Sequence, residues 1–198
     1  MEESSHPDSS RFPVLTVLLV LGSLLIFLSP VISSYLLYDR TLILSGQVWR
    51  VATGVLVHFS WSHLAYNSII LVLAGWLIER NSRFTLTWLV LLTAVLGSFY
   101  FVLFMPEMKQ FGGLSGVVSA TVAYLCMVNI SARSRDKWLW IIILGLLIAK
   151  IIFEIVTQET VFASYSSAGI RVVPEAHIIG LLVAMILMVV PLKNNKKR

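Results

Sequence analysis

Six apolar runs, each close to the ~20 residues that carry a helix across a bilayer, alternate with short polar segments. They cover about residues 14–34, 62–78, 84–104, 114–130, 138–156 and 176–192. This pattern predicts an all-α polytopic membrane protein, a six-transmembrane-helix bundle forming one domain over residues 14–192. A polar N-terminal tail, 1–13, precedes it and a short basic tail, 193–198, follows. A cleaved signal peptide is the rival reading of the first run. The leader carries Glu2, Glu3 and Asp8 where a basic segment is expected, and the run is long, so a retained helix is preferred. Residues 35–61 mix Asp39, Arg40, Trp49, Arg50 and His58 with apolar side chains. They are too polar to span and too apolar for a solvated linker. A structured loop at the membrane interface is expected, a depth that Trp and Tyr favour. Residues 157–175 read as a polar loop, and no internal repeat is visible.

Composition agrees with this pattern. Of 198 residues 58% are hydrophobic and 13% charged, and the mean hydropathy is +0.87; soluble domains carry roughly 25% charged residues. The net charge of +5 does not point to nucleic acid, because the basic residues sit between apolar runs. The single cysteine, Cys126, permits no disulfide within the chain, and no metal or cofactor motif is present. Basic residues also set orientation. With six spans both termini share a side. That side collects Arg11, Arg80, Arg83, Arg133, Arg135, Lys137, Lys193, Lys196, Lys197 and Arg198, ten against the four of Arg40, Arg50, Lys109 and Arg171. Both termini are therefore expected in the cytoplasm. The second, fourth and sixth helices then begin at the outer face.

That orientation gathers the unusual polar residues. Phe111-Gly112-Gly113-Leu114-Ser115-Gly116 reads as a loop turning into a buried helix, with Ser115 in its first turn. Free N–H groups and the positive end of the helix dipole lie there. A serine so placed is a nucleophile beside an anion site, a helix cap, or a small packing residue. His63 and Asn67 stand at i and i+4 on one face of the second helix, and His177 opens the sixth. Each alone has an ordinary structural explanation. Together, at the same ends of three parallel helices, they compose a site, since polar groups at such depth face a bundle interior or a water-filled cavity. A serine hydroxyl needs a base within reach, and His177 is the best placed. The Ser115 N–H, the Asn67 amide and His63 are donors for an oxyanion. Gly112 and Gly113 let a substrate backbone approach. Gly116 and Gly180, with Ala176 and Ala184, form small-xxx-small patterns that let two membrane helices close in.

These residues resemble the rhomboid intramembrane serine proteases. The resemblance rests on Gly-Leu-Ser-Gly at 113–116, Ala-His-x-x-Gly at 176–180, and His58, His63 and Asn67 in the spacing His-x4-His-x3-Asn. Trp49-Arg50 is similar to the Trp-Arg signature of the family's first loop, and the match runs over about residues 46–190. The resemblance implies a rhomboid-like bundle and a serine endopeptidase whose Ser–His dyad, Ser115 and His177, lacks an aspartate. It implies oxyanion and substrate support from His63, Asn67 and Gly113. Structural roles fall to Trp49, Arg50, His58, Gly112, Gly116 and Gly180, with no cofactor. Substrates would be single-span membrane proteins entering sideways from the lipid bilayer. The short core and the stretch Val-Pro-Glu-Ala-His-Ile-Ile-Gly at 173–180 most resemble the rhombosortase branch. That branch implies a bacterial inner-membrane protease acting on proteins with a C-terminal Gly-Gly-type anchor. In one departure, many rhomboids place an aromatic residue or a histidine four positions after the serine, where this chain has Ser119. The surface that braces His177 must then come from elsewhere.

Other features read as structure. Lys150 and Glu154, at i and i+4 of the fifth helix, are expected to form a partly buried ion pair, with a lateral-gate role or an interfacial Glu154 as alternatives. Glu79 is expected to pair with a nearby arginine, and Cys126 to fill space. A catalytically inactive rhomboid-like protein that binds membrane helices is the alternative function, though such relatives commonly lack the serine or the histidine. A small transporter would show two related halves, and none is seen.

Overall fold

The computed structural model describes residues 12–132, 135–160 and 173–190. The N-terminal tail up to residue 11, the basic tail, Arg133, Arg171 and most of the 157–175 loop lie outside the described residues.

Serines and prolines punctuate the apolar runs. Helix α1 (Val14–Leu28) stops at Ser29, and α2 (Pro30–Leu36) turns away from it by 115°. The helix expected over 14–34 is therefore two helices. Pro30 lacks an N–H and would clash with the preceding turn, so it takes the first position of a new helix. The next segment holds β1 (Tyr38–Asp39), α3 (Arg40–Leu44), α4 (Arg50–Thr53) and a 3-10 turn, Gly54–Leu56. Ser60 opens α5 (Trp61–Asn81) by accepting from the His63 N–H at 3.2 Å. Ser82 closes α5 and caps α6 (Arg83–Phe104), accepting from the Thr85 N–H at 3.2 Å. After β2 (Gln110–Phe111) come α7 (Ser115–Ser131), α8 (Lys137–Thr157) and α9 (Pro174–Val189), which starts on its proline.

Three helices, α5, α6 and α8, are long and apolar enough to cross a bilayer, and the bent α1–α2 pair makes a fourth if taken as one span. Helices α7 and α9 are shorter apolar helices of 17 and 16 residues. Helix α7 is the hub, packed against α5, α6, α8 and α9. Around its Ser115 end lies a core of Tyr38, Phe101, Phe111, Leu114 and Val117. Around its other half lies a second core of Ile78, Leu86, Leu89, Ala123, Ala184 and Leu187. Helix α8 stands apart, since only Ile151 and Glu154 of its 21 residues are buried.

Two polar devices fix the frame. Glu79, near the end of α5, accepts from the Leu15 and Thr16 N–H groups at 2.8 Å each and from Thr16 Oγ1 at 2.9 Å. It also pairs with Arg83 Nε at 2.8 Å, so it caps α1, whose own cap position is Pro13. The second device is a two-residue antiparallel ladder, with Tyr38 opposite Phe111 and Asp39 opposite Gln110. It ties the segment after α2 to the residues that lead into Ser115.

Candidate active site

The turn before Ser115 is built by glycine. Gly113 has φ +125°, a conformation that side chains rarely adopt. A Cβ there would also lie 2.7 Å from His63 Nε2. The imidazole of His63 therefore lies directly against the Gly113 backbone. At Gly112 a Cβ would meet the Val57 carbonyl oxygen at 2.8 Å. Beneath the turn, a cavity with room for about one water is lined by residues including Thr93, Ser98, Gly113 and Gly116.

The same end of α7 meets α9 backbone to backbone. A Cβ at Gly116 would sit 2.8 Å from the Ala176 carbonyl oxygen, and one at Gly180 would collide with the Gly116 carbonyl and approach the Ala120 nitrogen at 3.0 Å. Because Gly116 follows Ser115 and Ala176 precedes His177, this crossing sets Ser115 and His177 at the facing starts of two touching helices. Small residues alone permit that approach. Among the described residues no hydrogen bond joins Ser115 Oγ to His177.

His58 links three pieces of the site. Its Nδ1–H donates to the Leu56 carbonyl at 3.1 Å, which leaves Nε2 as an acceptor. That atom lies 3.3 Å from Asn67 Nδ2 and accepts from the Leu114 N–H at 3.4 Å. One neutral imidazole thus holds both the Asn67 amide and the residue before the serine. Burial pushes the His58 pKa down from 6.5 to about 4, which keeps this bonding pattern intact at neutral pH. Among the described residues the second Asn67 amide hydrogen has no partner, which leaves it for another acceptor. The rings of His58 and His63 meet edge to face, with centroids 4.9 Å apart.

His177 is 5% exposed, and its Nδ1 lies 2.8 Å from Glu154 Oε2. Lys150 Nζ sits 2.8 Å from Glu154 Oε1 and 2.9 Å from Oε2. The expected Lys150–Glu154 ion pair is present, and its contact with the histidine is new. Sequence reasoning treated the pair as structure and left the brace of His177 unassigned, because Ser119 stands where many rhomboids carry an aromatic residue or a histidine. Ser119 Oγ instead donates to the Ser115 carbonyl of its own helix at 2.9 Å. The missed signal was the pair itself, because two charges inside an otherwise apolar helix call for a partner.

Trp49 and Arg50 lie apart from this cluster, at the base of the 35–61 segment. Arg50 Nη1 donates to the carbonyls of Ser34 and Leu37 at 2.8 and 2.6 Å, and its Nε to Gln47 Oε1 at 2.9 Å. Trp49 Nε1 donates to the Tyr35 carbonyl at 3.2 Å, and the two rings stack at 5.1 Å. These bonds satisfy carbonyls that the end of α2 leaves open.

Comparison with known proteins gives the family. The family model described as "Rhomboid domain" matches residues 45–194. The rhomboid protease GluP of Bacillus subtilis (strain 168) is 31% identical over 98 residues, covering 48% of this chain and 18% of that protein. The rhomboid protease GlpG of Salmonella paratyphi A is 28% identical over 158 residues, covering 79% of this chain and 53% of that protein. GlpG of Yersinia enterocolitica is 25% identical over 152 residues, with 76% and 51% covered. The chain thus spans about half the length of the two GlpG proteins and less than a fifth of GluP. With the domain matched from residue 45 to residue 194, through every element of the cluster around Ser115, the chain is an integral membrane protein that belongs to the rhomboid family.

Proposed function

We propose that the chain is an intramembrane serine endopeptidase. Ser115 Oγ attacks the scissile carbonyl while its proton passes to His177 Nε2, and the imidazolium then protonates the leaving amine. Water hydrolyses the acyl-enzyme in the reverse sense. The Ser115 N–H, the free Asn67 amide hydrogen and His63 receive the oxyanion, with Gly113 opening backbone access. Trp49, Arg50, His58, Gly112, Gly116 and Gly180 hold the scaffold. The observation that carries the reading is the α7–α9 crossing at Gly116, Ala176 and Gly180, which brings together the helix starts that bear Ser115 and His177 in a chain of this family.

The finer reading is a six-span bundle with both termini cytoplasmic in a bacterial inner membrane, α1, α5, α6, α7, α8 and α9 being the spans. Substrates are single-span proteins cleaved near the outer face. The 173–180 stretch favours the rhombosortase branch, whose substrates end in a Gly-rich motif, an apolar helix and a basic tail. The test is a co-expressed single-span reporter bearing such an anchor, read alongside labelling by a fluorophosphonate. Cleavage and labelling are expected to need both Ser115 and His177. Cleavage that survives Ser115→Ala would sink the assignment, and a reporter bound but never cut would favour the inactive helix-binding alternative.

A further inference from the structure

Taking the protease reading as its base, we infer that Glu154 is a positioning residue for His177, so that α8 supplies an acidic third member to the site. The resemblance to rhomboids implies a dyad with no acidic partner, and Ser119, at the position where many rhomboids brace the histidine, is turned back onto its own helix.

The hydrogen positions follow from the contacts. Lys150 Nζ reaches both Glu154 oxygens, at 2.8 and 2.9 Å, forming a salt bridge. The Nδ1–Oε2 distance of 2.8 Å then admits one arrangement of the ring, because two lone pairs do not face each other at that separation. Nδ1 carries the hydrogen and donates it to the carboxylate. The competing arrangement has Lys150 Nζ donating to a bare Nδ1 across 3.4 Å, a longer contact that leaves Nδ1 and Oε2 repelling. In the neutral ring, Nδ1–H leaves Nε2 as the bare nitrogen, the state a base needs to take the serine proton.

Burial makes the arrangement durable. Glu154 is 2% exposed, one of two buried residues on a helix otherwise turned outward. Its two oxygens are shared between an ammonium and an imidazole N–H. Donors on both oxygens fix the carboxylate plane, and the carboxylate fixes the ring. Nucleophile, base and supporting carboxylate thus come from α7, α9 and α8. The rotation of α8 about its own axis is thereby tied to the tautomer of His177.

The test uses the full chain in detergent micelles. Nitrogen-15 NMR of histidine-labelled protein, with the His177 signals identified by their loss in His177→Asn, reads the ring tautomer without turnover. The wild type is expected to show protonated Nδ1 and bare Nε2, and Glu154→Gln a mixture of tautomers. On the single-span reporter, Glu154→Gln is expected to lower kcat about 100-fold with KM unchanged, a loss in the range that general-base catalysis contributes. Glu154→Asp should recover part of it. Because Glu154→Gln strands the Lys150 ammonium, the double variant Lys150→Met with Glu154→Gln is measured too, and the same kcat loss is expected at a restored unfolding temperature. A wild-type ring protonated on Nε2 would overturn the assignment. So would a double variant with wild-type kcat. A wild type that shows the expected tautomer but neither cleaves nor reacts with a fluorophosphonate would overturn the protease reading alone.

Discussion

Glu79 and Glu154 are both carboxylates buried in apolar helices, 3% and 2% exposed, near opposite ends of the bundle. Glu79 is saturated by two backbone N–H groups, a hydroxyl and a guanidinium. Its donors are fixed, so it acts as a helix cap and holds the start of α1 against the end of α5. Glu154 has one fixed partner, Lys150, and one that can exchange protons, His177. The same side chain is thus a staple at one end and the support of a base at the other. The chemistry of the donors decides between the two, since burial alone is nearly equal.

The widest separation between the two ends should come from the residues that Glu154 serves. Ser115→Ala or His177→Ala should abolish reporter cleavage, by at least about 10³-fold, with the unfolding temperature little changed in Ser115→Ala. Cleavage by either variant would remove the site from this end of the bundle. Next in size is the helix contact itself. Gly180→Val drives a side chain into the Gly116 carbonyl. It should cost about 1–3 kcal/mol of stability through overpacking and also eliminate turnover. A Gly180→Val protein that cleaves normally would show that the backbone approach is not needed.

Three smaller tests bear on stability. His58 is held neutral, with its pKa pushed from 6.5 to about 4 by burial. Above pH 6.5 neither folded nor unfolded chain protonates this ring. Between 6.5 and about 4 only the unfolded chain takes the proton, so folding stability falls as pH drops through that window. The full loss attributable to this ring is about 3 kcal/mol. Unfolding in detergent at stepped pH should show it in the wild type and a flatter profile in His58→Gln. An equal slope in both would assign the acid sensitivity to other groups. Glu79→Gln should lower stability by about 2 kcal/mol, a charge-assisted bond's worth, with kcat and the His177 tautomer unchanged. That pattern is the converse of Glu154→Gln and makes the comparison sharpest. Smallest is Thr16→Val, which removes one of the Glu79 donors and should cost about 1 kcal/mol in thermal unfolding.

Much of the architecture is local and therefore written along the chain. Runs of apolar residues make helices wherever the backbone must satisfy itself. Ser60 and Ser82 accept from the N–H groups of the turns they precede, and Pro174 starts α9 for the reason Pro30 interrupts the first run. Pro30 was there to be read as well, but an unbroken apolar run outweighed it in the expectation of one helix. The spacing of Gly116, Gly180, Ala176 and Ala184 names the faces of α7 and α9 that meet, because only small residues allow backbones to touch. Ser115, His177, His63 and Asn67 stand out along the chain on other grounds, as polar groups repeated at one end of several apolar helices.

What the sequence leaves open is rotation and partnership. An apolar helix such as α8 is hydrophobic on nearly every side, so its pattern does not say which face turns inward. Only the packed structure brings Glu154 to His177, Glu79 to the start of α1, and Tyr38 opposite Phe111. The ring tautomer of His177 depends on those meetings too, since a proton's place on an imidazole is set by the acceptor across from it. The sequence by itself determined most of the long helices, the close-contact faces and the residues that gather at one end. The tertiary structure decided which polar group answers which, because that depends on the phase of each helix against its neighbours.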